Sequence, residues 1–127
     1  MNHLFLGIDC GTQGTKALLL DSQSGPVLGQ GSAPHTLIQG AHGRREQDTG
    51  QWLQARTTAT QQALAAAGVS GQQIRGIGVS GQRRVEVLLD EHGTVLRPAK
   101  LWCDTESTAE NRQLLEWLGG EAGSLQR

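Results

Sequence analysis

The segment from residue 4 to residue 21 constrains the fold more than any other part of this sequence. Two apolar runs, Leu4–Ile8 and Thr15–Asp21, are separated only by the link D-C-G-T-Q-G (9–14). A link this short is typical of an antiparallel hairpin, because a parallel pair of strands needs a crossover of about a dozen or more residues. Gly11 and Gly14 are free to take positive φ in the turn. The segment therefore predicts two paired strands, with the carboxylate of Asp9 where the first strand ends.

Apolar periodicity and capping residues predict the rest of the elements. The alanines after Trp52 recur at helical spacing, Asp48 is a good N-cap and Gly68 a good C-terminal stop. The order β-β-β-α-β-β-α predicts an α/β protein with a mixed sheet of ribonuclease-H-like type. The remaining predicted elements are a strand at Val27–Ser32, a loop at Pro34–Arg45, strands at Ile74–Ser80 and Val85–Asp90, an extended piece at Leu101–Asp104, and a helix capped by Thr105 that runs towards Trp117 and stops at Gly119–Gly120.

The glycine pattern excludes two common nucleotide-binding folds. A dinucleotide site needs G-x-G-x-x-G at the start of a helix, whereas Gly11 and Gly14 precede a second strand. A Walker loop ends in G-K-[ST], and that ending is missing here.

Composition narrows the class of partner. The formal net charge of -1 and the pI near 6.4 give no electrostatic reason to expect nucleic acid or an anionic membrane. No apolar run approaches the roughly 20 residues that a membrane span needs. Cys10 and Cys103 match no metal-binding spacing. We therefore expect a reduced, cytoplasmic protein whose 127 residues form one domain or part of one.

The chemistry suggested by the hairpin turn is phosphoryl transfer. A carboxylate at a strand end can hold Mg²⁺ while the N–H groups of the adjacent turn meet phosphate oxygens. Thr12 and Thr15 offer hydroxyls and Lys16 offers a positive charge, which suits a reaction that depends on positioning and charge neutralisation. The alternative is that Asp9 only shapes the hairpin by accepting hydrogen bonds from loop amides.

Four collinear segments resemble one enzyme family. The segment G-I-D-C-G-T-Q-G-T-K (7–16) resembles the first phosphate loop of the sugar kinase, Hsp70 and actin superfamily. The segments E-Q-D-T-G-Q-W (46–52), G-I-G-V-S-G-Q (76–82) and R-P-A-K-L-W-C-D-T-E (97–106) narrow the resemblance to the FGGY carbohydrate kinases, and within them to the bacterial xylulokinases. The resemblance implies transfer of the γ-phosphoryl group of Mg·ATP to a ketopentose such as D-xylulose, or to a related polyol.

The resemblance also implies roles for individual residues. Asp9 would bind the metal and organise the phosphates, while the general base is expected outside this chain. Glu46, Gln47 and Asp48 are interpreted as a loop lock and helix cap, and Trp52 as a core residue. The implied phosphate-binding residues are Gly11, Thr12, Gln13, Gly14, Thr15 and Lys16, and the implied sugar-binding residues are Gln82, Arg83, Arg84, Trp102 and Asp104.

The pair Arg83-Arg84 departs from the family pattern. Xylulokinases typically have Met-His or Gln-His there, followed by glycine, whereas this chain continues with Val85 and Glu86. Glycerol kinases have Arg-Glu at the pair, so an arginine in the first place has precedent in the family. A second arginine would make a polyol site also favourable for an anion, unless Glu86 lies close enough to compensate. The alternative is that both arginines are solvated or salt-bridged and the site is altered.

The chain is also shorter than the family pattern implies. FGGY kinases hold ATP and sugar between two domains, and the second supplies the aspartate that deprotonates the sugar. We therefore expect residues 1–127 to form an incomplete first domain, inactive without the C-terminal half and prone to self-association through exposed apolar surface. A non-enzymatic binding or scaffold domain is the alternative. A nuclease on the same fold is disfavoured, because Asp9 has no acidic partner beyond the distant Asp104.

Overall fold

The computed structural model describes residues 3–120, which form two sheets and two α-helices. The strands of the larger sheet are β1 (Leu4–Cys10), β2 (Gly14–Asp21), β3 (Val27–Pro34) and β6 (Ile74–Gly81), and those of the smaller sheet are β4 (Ile38–Gln39), β5 (Arg45–Gln47) and β7 (Ala99–Lys100). The helices are α1 (Thr49–Ala67) and α2 (Thr108–Trp117), and short 3₁₀ turns lie at Ala41–Gly43 and Gly71–Gln73. Within the described residues, no helix is both long enough and apolar enough to cross a bilayer.

The larger sheet is mixed, as the order of elements predicts. Its strands lie in the order β3-β2-β1-β6; β1 pairs antiparallel with β2 and parallel with β6, and β2 pairs antiparallel with β3. The predicted hairpin is therefore confirmed. Its register places Asp9 opposite Lys16 and Leu6 opposite Leu19. Because side chains alternate along a strand, the first pair faces one side of the sheet and the second faces the other.

Helix α1 covers one side of this sheet at its β3–β2 end. Asp48 caps the helix, since its Oδ1 accepts a hydrogen bond of 2.9 Å from the Gly50 N–H, and Gly68 ends it in the left-handed region at φ 66°. Both caps agree with the sequence prediction. Small side chains on α1, such as the buried Ala59 and Ala63, let the helix approach β3 closely.

The closeness of this approach predicts a destabilising substitution at Gly31 on β3. A Cβ built on Gly31 would overlap the carbonyl oxygen of Ala59, so we expect Gly31→Ala to lower the free energy of unfolding by about 1–3 kcal/mol. The matched control is Gly7→Ala on β1, where a Cβ would have no heavy atom within 4 Å. Urea denaturation of both variants checks the prediction, and equal stabilities would contradict it.

Both sides of the larger sheet keep exposed apolar side chains. On the side away from α1, Phe5 and Leu18 are 40% and 45% exposed. On the α1 side the helix stops short of β6, and Ile77 and Val79 are 63% and 73% exposed. Apolar side chains are therefore exposed on both sides of the sheet.

Four local predictions are corrected by the structure. Val85–Asp90 is not a strand, and its residues form only the isolated bridges Glu86–Lys100 and Leu89–Val95. Part of the predicted loop at Pro34–Arg45 is β4 with its 3₁₀ turn, because Ile38 and Gln39 pair with β5. Leu101–Asp104 is not extended: the strand β7 precedes it, and the Asp104 N–H donates to the Leu101 carbonyl to close a turn. Thr105 does not cap α2; Ser107 precedes the helix, and the Thr105 carbonyl accepts from the Thr108 hydroxyl.

Candidate active site

Asp9 lies at the carboxyl end of β1 with its side chain exposed on the side of the sheet away from α1. Its Oδ1 accepts a hydrogen bond of 2.8 Å from the hydroxyl of Ser80, its neighbour on β6. Lys16 is its partner on β2. Among the described residues, no group donates a hydrogen bond to Oδ2. One carboxylate oxygen is thus held in place and the other is free for a ligand.

The turn after Asp9 presents free backbone donors. It is closed by a hydrogen bond of 3.0 Å from the Gly11 N–H to the Gly14 carbonyl. Within residues 3–120, the N–H groups of Thr12 and Gln13 have no acceptor. Consecutive free N–H groups in a turn suit an anion such as a phosphate.

The backbone conformation predicted for the two glycines of the turn is wrong. Neither Gly11 nor Gly14 adopts positive φ. Gly14 is required for another reason, because a Cβ there would lie 2.6 Å from the Ala33 carbonyl oxygen of β3. Close packing of two strands, not an unusual turn conformation, accounts for this glycine.

Gln47 holds the turn after Asp9 in place through a side-chain hydrogen bond. Its side chain is almost fully buried; Nε2 donates to the Thr12 carbonyl at 2.7 Å, and Oε1 accepts from Trp52 Nε1 at 2.9 Å. The Gln82 amide also approaches Gln47 Oε1 at 3.4 Å. The loop lock predicted for Glu46–Asp48 is therefore a lock on the candidate phosphate loop. Trp52 is half-buried and takes part in it through its indole N–H.

A second set of contacts joins the turn to β6 and to the loop after β7. The Thr12 hydroxyl donates to Gln82 Oε1 and accepts from Trp102 Nε1, each at 3.1 Å. Trp102 is nevertheless 60% exposed. These residues border an open cleft of about 380 Å³. The cleft is lined by Asp9, Gly11, Thr12, Gly81, Gln82, Arg83, Arg84 and Trp102.

Two predicted site residues, Thr15 and Asp104, have buried side chains that make structural contacts and do not line this cleft. Thr15 is fully buried on the α1 side of the sheet, and its hydroxyl lies 3.0 Å from His35 Nε2. Asp104 has a side chain only 4% exposed, and it accepts hydrogen bonds from the backbone N–H groups of Arg45 and Glu106. The structure therefore brings together Asp9, the turn, Gln82, the two arginines and Trp102, and gives Thr15 and Asp104 structural partners.

His35 supports the same turn and was not identified from the sequence. Its backbone N–H donates to the Gln13 carbonyl at 2.9 Å, and its ring contacts Thr15. The ring Nδ1 is buried and has no partner among the described residues. A protonated imidazole must donate from both nitrogens. Burial of the ring lowers the pKa of His35 below the ordinary 6.5, and it outweighs the opposite effect of the Gly11 backbone.

The lowered pKa predicts a stability change in mild acid. Below pH 6.5 the unfolded chain takes up a proton on His35 that the folded chain resists, so the free energy of unfolding should fall as the pH drops below 6.5, until the pH reaches the folded pKa. Urea denaturation between pH 7 and pH 5 measures this. His35→Gln should flatten the dependence, whereas His92→Gln, at a side chain 79% exposed, should leave it unchanged. An unaltered slope in His35→Gln would contradict the assignment.

A partly buried ion cluster anchors the smaller sheet beside the cleft. Glu46 pairs with Arg97, and the Lys100 ammonium lies 3.5 Å from Glu46, 3.2 Å from Asp104 and 2.6 Å from Glu106. The hydrogen bond to Glu106 raises the pKa of Lys100, and the same bond lowers the pKa of Glu106. Burial acts to raise the pKa of Asp104, but hydrogen bonds from Arg45, Glu106 and Lys100 outweigh it and hold that pKa below its usual value.

Lys100 also accounts for a group of carboxylates that resembles a metal site. One oxygen from each of Glu46, Asp104 and Glu106 lies within 4.8 Å of the others. The Lys100 ammonium is within 3.5 Å of all three and supplies the compensating positive charge. The cluster is therefore structural, and it positions the loop that carries Trp102.

The residues at the turn fit a magnesium–nucleotide group. Mg²⁺ is usually held by one or two carboxylates together with substrate phosphates and water. Asp9 supplies one carboxylate with a free oxygen, and Thr12 and Gln13 supply free N–H groups for phosphate. Lys16, exposed on the same side of the sheet as Asp9, adds a positive charge.

Comparison with known proteins gives a consistent result. The family model for the N-terminal domain of the FGGY family of carbohydrate kinases matches residues 4–126. The xylulose kinase of Haemophilus influenzae is 46% identical over 98% of this chain, which covers 26% of that protein. The xylulose kinase of Streptomyces rubiginosus is 40% identical over 92% of the chain and 23% of that protein.

Solved structures agree with the sequence relatives. A crystal structure of a xyloylose kinase from Brucella ovis superposes with a TM-score of 0.81 and 39% identity, over 90% of this chain and 24% of that one. The fold is the ribonuclease-H-like fold of the sugar kinases, as the sequence predicts. The chain spans about a quarter of the length of these relatives. From Leu4 to residue 126 it belongs to the FGGY family of carbohydrate kinases and corresponds to the N-terminal domain of that family.

Proposed function

We propose that this chain is the nucleotide- and sugar-binding part of a kinase that transfers the γ-phosphoryl group of ATP to a ketopentose such as D-xylulose or to a related polyol. The observation that carries the proposal is the pairing of Asp9, with one free carboxylate oxygen, and a turn with two free N–H groups. The names of the relatives support the sugar class. The proposal places the reaction in the cytoplasm, where ATP is available.

In this proposal the described residues act by positioning and by charge. Asp9 holds the magnesium ion, and the N–H groups of Thr12 and Gln13 hold the phosphates of ATP. These contacts position the transferred phosphoryl group and neutralise its negative charge. Gln82 and Trp102 hold the polyol. The acceptor hydroxyl forms a bond to the γ-phosphorus, the bond to the β,γ-bridging oxygen breaks, and ADP leaves.

The hydroxyl proton needs a base within hydrogen-bond reach. Asp9 is assigned to the phosphates, so we assign the base to a carboxylate in the C-terminal half of the kinase. By the same reasoning the 127-residue chain by itself turns over no substrate. The exposed Ile77 and Val79 on β6 are assigned to contacts with that half, or to self-association in its absence.

A hybrid enzyme tests the proposal directly. Residues 4–126 of this chain replace the matching quarter of the Haemophilus influenzae xylulose kinase, and ADP release is measured with ATP and D-xylulose. We expect sugar-dependent ADP release by the hybrid and none by the 127-residue chain. A folded hybrid that binds neither ATP nor sugar, with no ligand-dependent rise in melting temperature, would favour a scaffold domain that has lost the chemistry.

A further inference from the structure

Arg83 and Arg84 begin where the larger sheet ends. The segment that carries them is held against β1 by a hydrogen bond of 3.0 Å from the Gln82 N–H to the Cys10 carbonyl. Both arginines are exposed, and both line the 380 Å³ cleft together with Asp9 and Trp102. The positive charges therefore lie at the candidate sugar site itself.

Neither arginine is neutralised by a neighbour that the structure describes. The ion pairs between residues 3 and 120 involve Arg97, Lys100 and His92, and none involves Arg83 or Arg84. Glu86 borders an adjoining cavity with Arg84 but does not pair with it. The backbone of Arg84 is left-handed, with φ 58°, so the chain from Arg84 to Glu86 is not a regular extended strand. The compensation by Glu86 considered from the sequence is therefore absent from the described structure.

The lining of the cleft leaves one carboxylate, Asp9, against two guanidinium groups. Under the proposed function Asp9 is committed to the metal and phosphates of the nucleotide. The two arginines then remain beside Gln82 and Trp102, with positive charges that no carboxylate lining the cleft neutralises. A guanidinium binds a carboxylate or phosphate through two parallel hydrogen bonds, and such charge-assisted bonds are stronger than those to neutral hydroxyls.

We propose that the acceptor of this kinase is a polyol with one anionic end group, a carboxylate or a phosphate, and that Arg83 and Arg84 bind this group. The inference rests on the proposed function and, of the two acceptors named there, selects a related polyol over D-xylulose itself. Gln82 and Trp102 contact the hydroxyl-bearing chain. The bonds made and broken are those of the phosphoryl transfer described above, at the hydroxyl end of the substrate.

The test compares acceptors that differ in one end group. The hybrid enzyme is assayed with xylitol, D-xylonate and xylitol 5-phosphate. We expect kcat/KM for at least one of the two anions to exceed that for xylitol by about tenfold or more, the range of a charge-assisted hydrogen bond. The two anions distinguish a carboxylate end group from a phosphate. Arg83→Gln/Arg84→Gln should reduce this ratio about tenfold, whereas the control Arg75→Gln, at the opposite end of β6, should not.

The other outcomes separate the two proposals. Phosphorylation of xylitol or D-xylulose with no preference for either anion would overturn the substrate class and leave the proposed function in place. An equal decrease in kcat/KM for neutral and anionic acceptors in the double variant would also overturn the substrate class, because the arginines would then act on the nucleotide. A folded hybrid without activity on any acceptor would count against the proposed function.

Direct binding to the 127-residue chain provides a measurement that does not depend on turnover. In ¹H–¹⁵N NMR spectra, D-xylonate or xylitol 5-phosphate should shift the amide signals of residues 81–84, and xylitol should not. The shifts should weaken at high salt, as expected for exposed charges. No shift with either anion, or equal shifts with xylitol, would overturn the inference.

Discussion

Replacing Asp9 with asparagine is expected to lower kcat of the hybrid kinase by about 100- to 1,000-fold, the range observed when one preorganised electrostatic contact is removed from an active site. The amide keeps the size of the side chain and still accepts a hydrogen bond from Ser80, which lies 2.8 Å from Oδ1. It lacks the charge that would hold the magnesium–phosphate group. The loss is therefore electrostatic, and the melting temperature should change little because Asp9 is exposed.

The measurement is ATP-dependent ADP release with saturating D-xylulose, together with the melting temperature of each variant. Glu110→Gln is the matched control, because it removes one exposed carboxylate from α2, far along the chain from the turn. We expect the control to keep the parent kcat. A variant Asp9→Asn that retains a tenth or more of the activity would show that the carboxylate only shapes the hairpin, which is the alternative that the sequence leaves open.

Local signals were sufficient to predict the elements that position Asp9. The short link between two apolar runs predicts the hairpin, and the caps Asp48 and Gly68 predict both ends of α1, because each depends on a few adjacent residues. The segment Val85–Asp90 shows the limit of this reasoning. Its apolar residues are typical of a strand, but a strand also needs a partner to accept its hydrogen bonds, and the described residues provide only isolated bridges.

The supporting residues of the site were harder to predict because their partners are distant in sequence. Gln47 reaches back across the fold to the Thr12 carbonyl, and His35 contacts Thr15 from the loop after β3. The sequence marks Gln47 as part of a loop lock, but nothing in the residues around Gln47 or His35 identifies the partners of the two side chains. One signal was available: Gln47 directly precedes the helix cap Asp48, at a point where the chain must fold back onto the sheet.

A large loss of stability is expected from Lys100→Met. The substitution removes the cation shared by Glu46, Asp104 and Glu106, and the carboxylates of Glu46 and Asp104, only 5% and 4% exposed, lose that partner. A buried acceptor that loses a partner costs about 1–3 kcal/mol, and we expect a loss of that order. Urea denaturation at pH 7 measures the loss. Lys16→Met is the control, since Lys16 is exposed and makes no ion pair with the residues that the structure describes; its effect should stay within about 0.5 kcal/mol.

The pH dependence of this loss distinguishes electrostatic repulsion from lost packing. In the parent chain the lowered pKa values of Asp104 and Glu106 contribute stability that is present above their ordinary values, 3.8 and 4.5, and is lost as the pH falls through the folded values. The raised pKa of Lys100 contributes stability below 10.5 that is lost as the pH rises through its folded value. Without Lys100 the carboxylates repel one another when ionised, and protonation relieves the repulsion. The difference between parent and variant should therefore be largest near pH 7 and shrink towards pH 4, whereas a difference independent of pH would mean that Lys100 acts through the packing of its alkyl chain.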